Sequence, residues 1–477
     1  MAHRRDASLC MVAPHPDLAD QLRQQFEALR VSTNTALGGL LTLGQPRRLG
    51  FNDGTIIEPE DFGLEASVSA VRRAAAERAP LRGAIRVMVV LVDFADRQMA
   101  ATKQHFQDLF FSQQVFPFGS VSEYYQEASG GRISITGAVV GPYRLPLTLA
   151  QYANGESGTG GVVPNAQTMA RHALDAASQD VNFATYDNDG NGYVDAFIVI
   201  HAGRGAEETN NGSEIWSHKW TLDGGAVTRN GKKIFAYLTV PEDSRIGVCA
   251  HELGHLLFGW PDLYDTDYTS NGVGRWCLMA GGSWNGRGVP GAQAGDVPAH
   301  PSAWCKAGQE WVAVKAPKQN GSVTIEPVGA AQTVHRLWKN GDKKSREYFL
   351  VENRQKSGYD RDLPAAGLLI WHVDDAMPDN SNEAHYKVAL MQADNLRDLE
   401  SARDSGDAGD PYPGTSNNKT FSRTSAPSSR SYSGLPTDVS ITAISRVAAG
   451  IRARCAVRKA APASAPGPRL PVRAART

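Results

Sequence analysis

Long apolar runs are missing from this chain. The strongest, such as residues 87–92, are only strand-sized, which excludes a hydrophobic helix of the roughly 20 residues that crosses a bilayer. Net charge is nearly absent as well. Forty-nine Lys and Arg against 50 Asp and Glu leave −1, a balance that gives no support for electrostatic binding to nucleic acid or to a membrane surface. Cysteine is scarce and odd in number, five in all, so at least one of Cys10, Cys249, Cys277, Cys305 and Cys455 is unpaired within the chain. Cys277 and Cys305 can pair if the fold brings them together. No internal repeat is evident. The opening MAHRRDASLCMVAPHP carries basic residues with no apolar run behind them, so it does not read as a secretory signal.

What is present suits a large folded enzyme. At 477 residues, 41% hydrophobic and 21% charged, the chain can form two or three domains, each with its own core. Its most informative stretch is His251-Glu252-Leu253-Gly254-His255. Residues four apart lie one turn above each other on a helix face. Two imidazoles so placed can hold one Zn²⁺, with the glutamate between them beside a metal-activated water. The metal lowers the pKa of that water, and the carboxylate takes its proton as it attacks a carbonyl. Apolar residues through 245–258 suit a buried helix, in which Cys249 reads as a buried apolar side chain. Gly259 and Pro261 then stop the helix. Asp262 follows, where a turn can return its carboxylate to the metal.

Further on comes a methionine in a glycine-rich turn, Trp276-Cys277-Leu278-Met279-Ala280-Gly281-Gly282. HELGHLLFGWPDLYD, GVGRWCLMAGGSWNG and HPSAWCKAGQEW resemble the immune inhibitor A-like family of zinc metallopeptidases, metzincin-like zincins. Upstream segments at 87–97, 120–146 and 186–203 resemble it too, as do downstream segments at 347–375 and 406–414. The likeness thus runs from about residue 85 to about 445, with the motifs in order. It implies that His251, His255 and Asp262 hold zinc, that Glu252 is the general base, and that Met279 lies beneath the site as an apolar floor. It also implies a secreted protease. One spacing departs from the metzincin pattern. Gly259 and Asp262 each stand one residue further from His251 than that pattern has them, so a bulge or a longer last helical turn must absorb the addition. Asp265, Asp267 and His300 are rival ligands, and His300, before Pro301, also reads as a capping or packing residue.

A second metal site is written in 187–195. Asp187, Asp189 and Asn191 at positions 1, 3 and 5, glycine at 6, the Tyr193 carbonyl at 7 and Asp195 at 9 fit the start of a calcium loop. Position 12 is Ile198 rather than glutamate, so Glu207 or Glu208 would have to complete the shell. A hairpin turn rich in Asp, Asn and Gly is the plainer alternative. In 404–410, Asp404, Asp407 and Asp410 read as a solvated loop. His218, in the aromatic stretch 211–220, reads either as part of a substrate cleft or as a satisfied structural histidine.

The expected fold class is α+β. A zincin-type protease domain with a twisted mixed sheet and an active-site helix occupies 81–314, followed by a β-rich domain over 315–455. Residues 1–80 form an N-terminal region or prosegment with helices over 17–29 and 65–79, in which Cys10 is either a thiolate blocking the zinc in a latent form or an incidental thiol. Residues 456–477, rich in Ala, Pro and Arg, form a disordered tail. From the family, the strand over 234–240 is expected at the sheet edge, pairing with an extended substrate. The expected function is that of a zinc-dependent endopeptidase acting on protein or peptide substrates, a hydrolase made as a zymogen, with Zn²⁺ and a structural Ca²⁺. The alternative is a catalytically silent binding or adhesion protein that keeps the protease fold. Nothing bears on oligomeric state.

Overall fold

A computed structural model of the protein describes residues 10–19, 21, 80–448 and 450–459. The helix expected over 65–79, most of that over 17–29 and the tail beyond 459 lie outside the described residues. Among the described residues, no helix is long and apolar enough to cross a membrane.

The N-terminal part is built on a six-stranded sheet. Its strands are β1 (Cys10–Met11), β2 (Gly83–Asp93), β3 (Ile133–Arg144), β4 (Phe197–His201), β5 (His218–Thr221) and, after the small hairpin β6 (Val227–Arg229) and β7 (Lys232–Ile234), β8 (Ala236–Pro241). Their order is β1-β5-β8-β4-β2-β3. The inner pairs are parallel, whereas β5 runs antiparallel to β8 and β1 antiparallel to β5. The continuous apolar run at 87–92 is buried throughout, as a central strand covered on both faces requires.

Short polar caps start the helices that cover the sheet. Thr102 accepts from the backbone of α1 (Lys103–Phe111), and Ser120 does so for α2 (Val121–Ala128). Reciprocal capping boxes open α3 (Leu149–Ala153) and α4 (Ala166–Ala177). The short α5 (Ala206–Thr209), the long α6 (Ile246–Phe258) and α7 (Ala303–Gly308) follow.

The edge strand is not the one expected. Residues 236–241 lie between β4 and β5, buried along their whole length, because a fully apolar run is more stable inside a sheet than at its border. Outside β8 comes β5, whose His218 and Lys219 gave no strand signal and which is the last strand of the catalytic part, and the two-residue β1 of the N-terminal segment lies against it as the border.

Beyond residue 312 strands dominate: β9 (Ala313–Lys315), β10 (Gly321–Ile325), β11 (Thr333–Leu337), β12 (Glu347–Arg354), β13 (Gly367–Asp374), β14 (Val388–Leu390), β15 (Ser440–Val447) and β16 (Gly450–Ala456). They form a five-stranded sheet, β14-β13-β12-β11-β9, and a three-stranded one, β10-β16-β15. Successive side chains alternate between faces. Leu350, Trp371 and Val373 join the core of the N-terminal part, while Phe349, Val351 and Ile370 pack with Ile441 and Ile451 of the smaller sheet. Buried charges tie the two parts together. Lys306 of α7 pairs with Glu352 at 3.2 Å, and Arg354 reaches both Glu352 and Asp360. Burial alone would raise the Asp360 pKa, but the Arg354 guanidinium holds its carboxyl well below the usual range. Removing one partner of such a group would strand an uncompensated charge in the core.

Candidate metal centre

Helix α6 carries the site. Every residue from Ile246 to Phe258 is buried, consistent with a helix that is apolar on all sides. His251 and His255 lie one turn apart and aim their Nε2 atoms at each other, 3.0 Å apart. The helix stops at Gly259, whose φ of 62° is left-handed, a conformation glycine adopts without steric cost. Gly259 N–H bonds back to the carbonyls of Gly254 and His255, and Trp260 N–H reaches the Gly254 carbonyl, six residues back, at 3.2 Å. This wide terminal turn takes up the additional residue. It returns Asp262 so that its Oδ1 lies 3.2 Å from both His251 Nε2 and His255 Nε2.

The supporting contacts orient these atoms. His251 Nδ1 lies 2.9 Å from the Leu278 carbonyl and His255 Nδ1 lies 2.5 Å from the Trp260 carbonyl. A protonated Nδ1 donating to each carbonyl leaves Nε2 as the lone-pair donor, the arrangement that metal-binding histidines use. Burial, the largest influence on His255, lowers its pKa and so favours that neutral form. Met279 lies under the helix so closely that a Cβ at Gly254 would meet its Sδ at 2.8 Å. Gly254 is therefore what lets the methionine approach.

Glu252 is fully buried, and neither carboxylate oxygen makes a hydrogen bond of normal geometry among the described residues. Burial pushes its pKa well up, and the Asp262 and Glu207 carboxylates push further. The Val12 backbone and the Lys219 ammonium oppose them. An orphaned acid of this kind is costly to keep. It makes chemical sense beside a cation and a water.

The donor set fits such a cation. Separations of 3.0 to 3.2 Å suit neighbouring ligands that share one small ion with bonds of about 2.0 Å. Cys10 belongs to the same cluster, since its Sγ lies within 4.8 Å of ligand atoms of both His255 and Asp262. It is brought there by a segment lying along the cleft. Cys10 pairs with Lys219 and Met11 with His218, Val12 N–H donates to Ser217 O at 3.3 Å, and His15 N–H donates to Glu207 O at 2.8 Å. At the outer end Arg287 makes a two-pronged contact with Asp17, at 2.7 and 2.6 Å.

The rival ligands are engaged elsewhere. Asp265 accepts from Asp267 N at 3.1 Å and from Ser270 Oγ at 2.8 Å, in a separate acidic group with Asp267 and Glu383. His300 contacts Glu127 at 3.0 Å, and its N–H donates to Asp360 at 2.9 Å. His218 is buried between the Trp216 carbonyl at 2.6 Å and Tyr237 OH at 2.9 Å, a structural placement. Cys277 and Cys305 come together as hydrogen-bonded, buried thiols.

In the 187–195 loop, Asp187, Asp189 and Asp195 converge within 4.8 Å. Asn191 turns its oxygen to Tyr193 N–H at 2.8 Å. Lys232 contacts Asp187 Oδ2 at 2.6 Å, whereas Asp187 Oδ1 is buried without a hydrogen bond among the described residues. Glu207 does not complete this loop. Its carboxylate accepts from Ser217 N and Oγ, and burial pushes its pKa up to about 7. Glu208 pairs with Arg204 at 3.3 Å.

Residues 84–312 match the family model described as immune inhibitor A peptidase M6, catalytic domain. The chain is 33% identical over 274 residues to the pre-pro-metalloprotease PrtV of Vibrio cholerae serotype O1, covering 46% of this chain and 29% of that protein. It is 32% identical over 256 residues to immune inhibitor A of Bacillus thuringiensis subsp. alesti, covering 42% and 37%. A putative secreted metallopeptidase of Arthroderma benhamiae is 28% identical over 211 residues. The chain thus spans only 29% to 37% of the length of the first two relatives.

Proposed function

We propose, from the match of residues 84–312 to the immune inhibitor A peptidase model, that this chain is a zinc-dependent endopeptidase of zincin type that hydrolyses peptide bonds in proteins. The observation that carries the reading is the convergence of His251, His255 and Asp262 beside a buried carboxylate that makes no hydrogen bond of normal geometry among the described residues. We place the catalytic domain at 81–314 and a β-rich domain at 315–455, the latter supporting the former through the shared core.

His251, His255 and Asp262 would hold the metal. Bound zinc supplies Lewis acidity towards a water and a peptide carbonyl. Glu252 takes a proton from the attacking water and carries it to the leaving amine. Met279 closes the floor, and β5 offers an extended peptide the edge that β1 now occupies. Digestion of casein by the activated protein should stop with a chelator and return with added zinc. Undiminished digestion by metal-free protein would overturn the assignment. A silent binding protein has no use for a buried, orphaned acid, which weighs against that alternative.

The chain is made latent by its own N-terminal segment, with the Cys10 thiolate as a further ligand in the metal's shell and β1 on the substrate edge. Export is the destination consistent with such a zymogen, since the named relatives include a secreted metallopeptidase.

Asp187, Asp189 and Asp195 form a structural calcium site, supported by the buried, unpartnered Asp187 Oδ1, with the Tyr193 carbonyl and Asn191 within the same turn. Calcium should raise the melting temperature, by RT ln(1 + [L]/Kd) in free energy, about 2.7 kcal/mol at a hundredfold excess over Kd. The shift should vanish in Asp195→Asn. An equal shift in wild type and variant would place the effect elsewhere.

A further inference from the structure

We propose that Trp216, Tyr264 and Trp284 form a main-chain clamp that holds three consecutive carbonyls of an extended peptide substrate, and that the N-terminal segment now fills this clamp. The proposal rests on the peptidase reading and adds how substrate is gripped. Tyr264 OH donates to Met11 O at 2.8 Å, Trp216 Nε1 to Val12 O at 2.9 Å, and Trp284 Nε1 to Ala13 O at 2.8 Å.

The three donors come from separate places in the fold. Trp216 precedes the edge strand β5, Tyr264 follows Asp262, and Trp284 lies in the turn beyond Met279. All three are nearly buried, at 4%, 6% and 4% exposure. Their convergence on successive carbonyls, in chain order, is a property of the cleft. No two of them are neighbours in sequence.

Each contact reads backbone only. The clamp therefore takes an extended chain, with apolar side chains where Met11, Val12 and Ala13 are now buried, and the carbonyl of Ser217, just before β5, takes the N–H of the middle residue, as it now takes Val12 N–H at 3.3 Å. The segment held there, Met11 to Ala13, is apolar and uncharged. A substrate would run antiparallel to β5, in the sense of β1. When the segment leaves, three donors exchange their carbonyl acceptors for water, and an incoming peptide restores them. That recovered hydrogen bonding is binding energy independent of the metal.

The test uses the full chain carrying Cys10→Ala and Val12→Pro, which removes the thiol and the strand N–H that hold the segment in the cleft. The probe is a dye-labelled octapeptide, Ala-Met-Val-Ala-Pro-His-Pro-Asp, whose Kd is measured by anisotropy on metal-free protein. Tyr264→Phe, which deletes a single hydroxyl, and Trp284→Phe should each raise Kd about tenfold, the worth of one buried hydrogen bond. In the otherwise wild-type full chain the same two substitutions should speed labelling of Cys10 by a thiol reagent. An unchanged Kd in Tyr264→Phe and Trp284→Phe overturns the clamp, even if Cys10 labelling quickens, because the donors would then serve latency alone. Peptide bound normally but never cut after zinc is restored would strike the peptidase reading and leave the clamp standing.

Discussion

Glu252→Gln should cut peptide hydrolysis by about 10³-fold or more, within the range that a positioned general base contributes, while the protein keeps its zinc. The comparison belongs in the Cys10→Ala background, where the cleft can open. Glutamine keeps the shape and a carbonyl oxygen but cannot accept the proton of the attacking water. The substitution should not unfold the protein, because among the described residues the native carboxylate makes no hydrogen bond of normal geometry to lose. Wild-type rates in Glu252→Gln, measured with metal in place, would remove Glu252 from the mechanism.

The second large effect concerns Cys10. The full-length Cys10→Ala protein should digest peptides on the order of 10²-fold faster than the parent, equivalent to about 2.7 kcal/mol of lost closure. Among the described residues of the segment, the thiol is the group that sits with the metal ligands. Among the described residues, what remains after its loss is a two-residue strand pairing, the backbone bonds from Val12 N–H to Ser217 O and from His15 N–H to Glu207 O, three hydrogen bonds donated by side chains and the Asp17–Arg287 contact. The last is half-exposed, so it adds little. Activity no higher than the parent's would show that the segment is held by its backbone alone, or that latency has another source. A chain beginning near Arg82 separates these, because it lacks the segment altogether and should match or exceed Cys10→Ala.

Much of the centre could be read locally. The two histidines, the acid between them and the glycine stop lie within nine residues of sequence, and helical geometry alone converts that spacing into a shared face. Asp262 was harder to separate from Asp265 and Asp267. The choice depends on a terminal turn in which Trp260 N–H reaches back six residues, and no composition signal announces a turn of that width. Apolar runs such as 87–92, 166–177 and 367–373 declared their elements because burial imposes a period on them.

Pairing across long distances was the part that stayed hidden. The edge strand β5 is four residues long and starts with His218 and Lys219, so neither alternation nor length singled it out. Strand β1 has two residues, and only its partner makes it a strand. At the other end, the final strand GIRARCA does alternate, with Ile451, Ala453 and Cys455 buried and Arg452 and Arg454 exposed. The Ala, Pro and Arg bias that begins right after it drew attention from that alternation. The acidic loop at 187–195 shows the same limit from another side. Its turn chemistry was plain, but whether an ion shell is completed depends on where Glu207 and Glu208 go. Ser217 and Arg204 hold them elsewhere.

The most direct test is metal analysis of the purified full-length protein together with X-ray absorption at the zinc edge. One zinc per chain is expected, with nitrogen and oxygen neighbours plus one sulfur, and the sulfur should disappear in Cys10→Ala while the zinc stays. Protein that binds no zinc with His251, His255 and Asp262 intact would contradict the account at its centre.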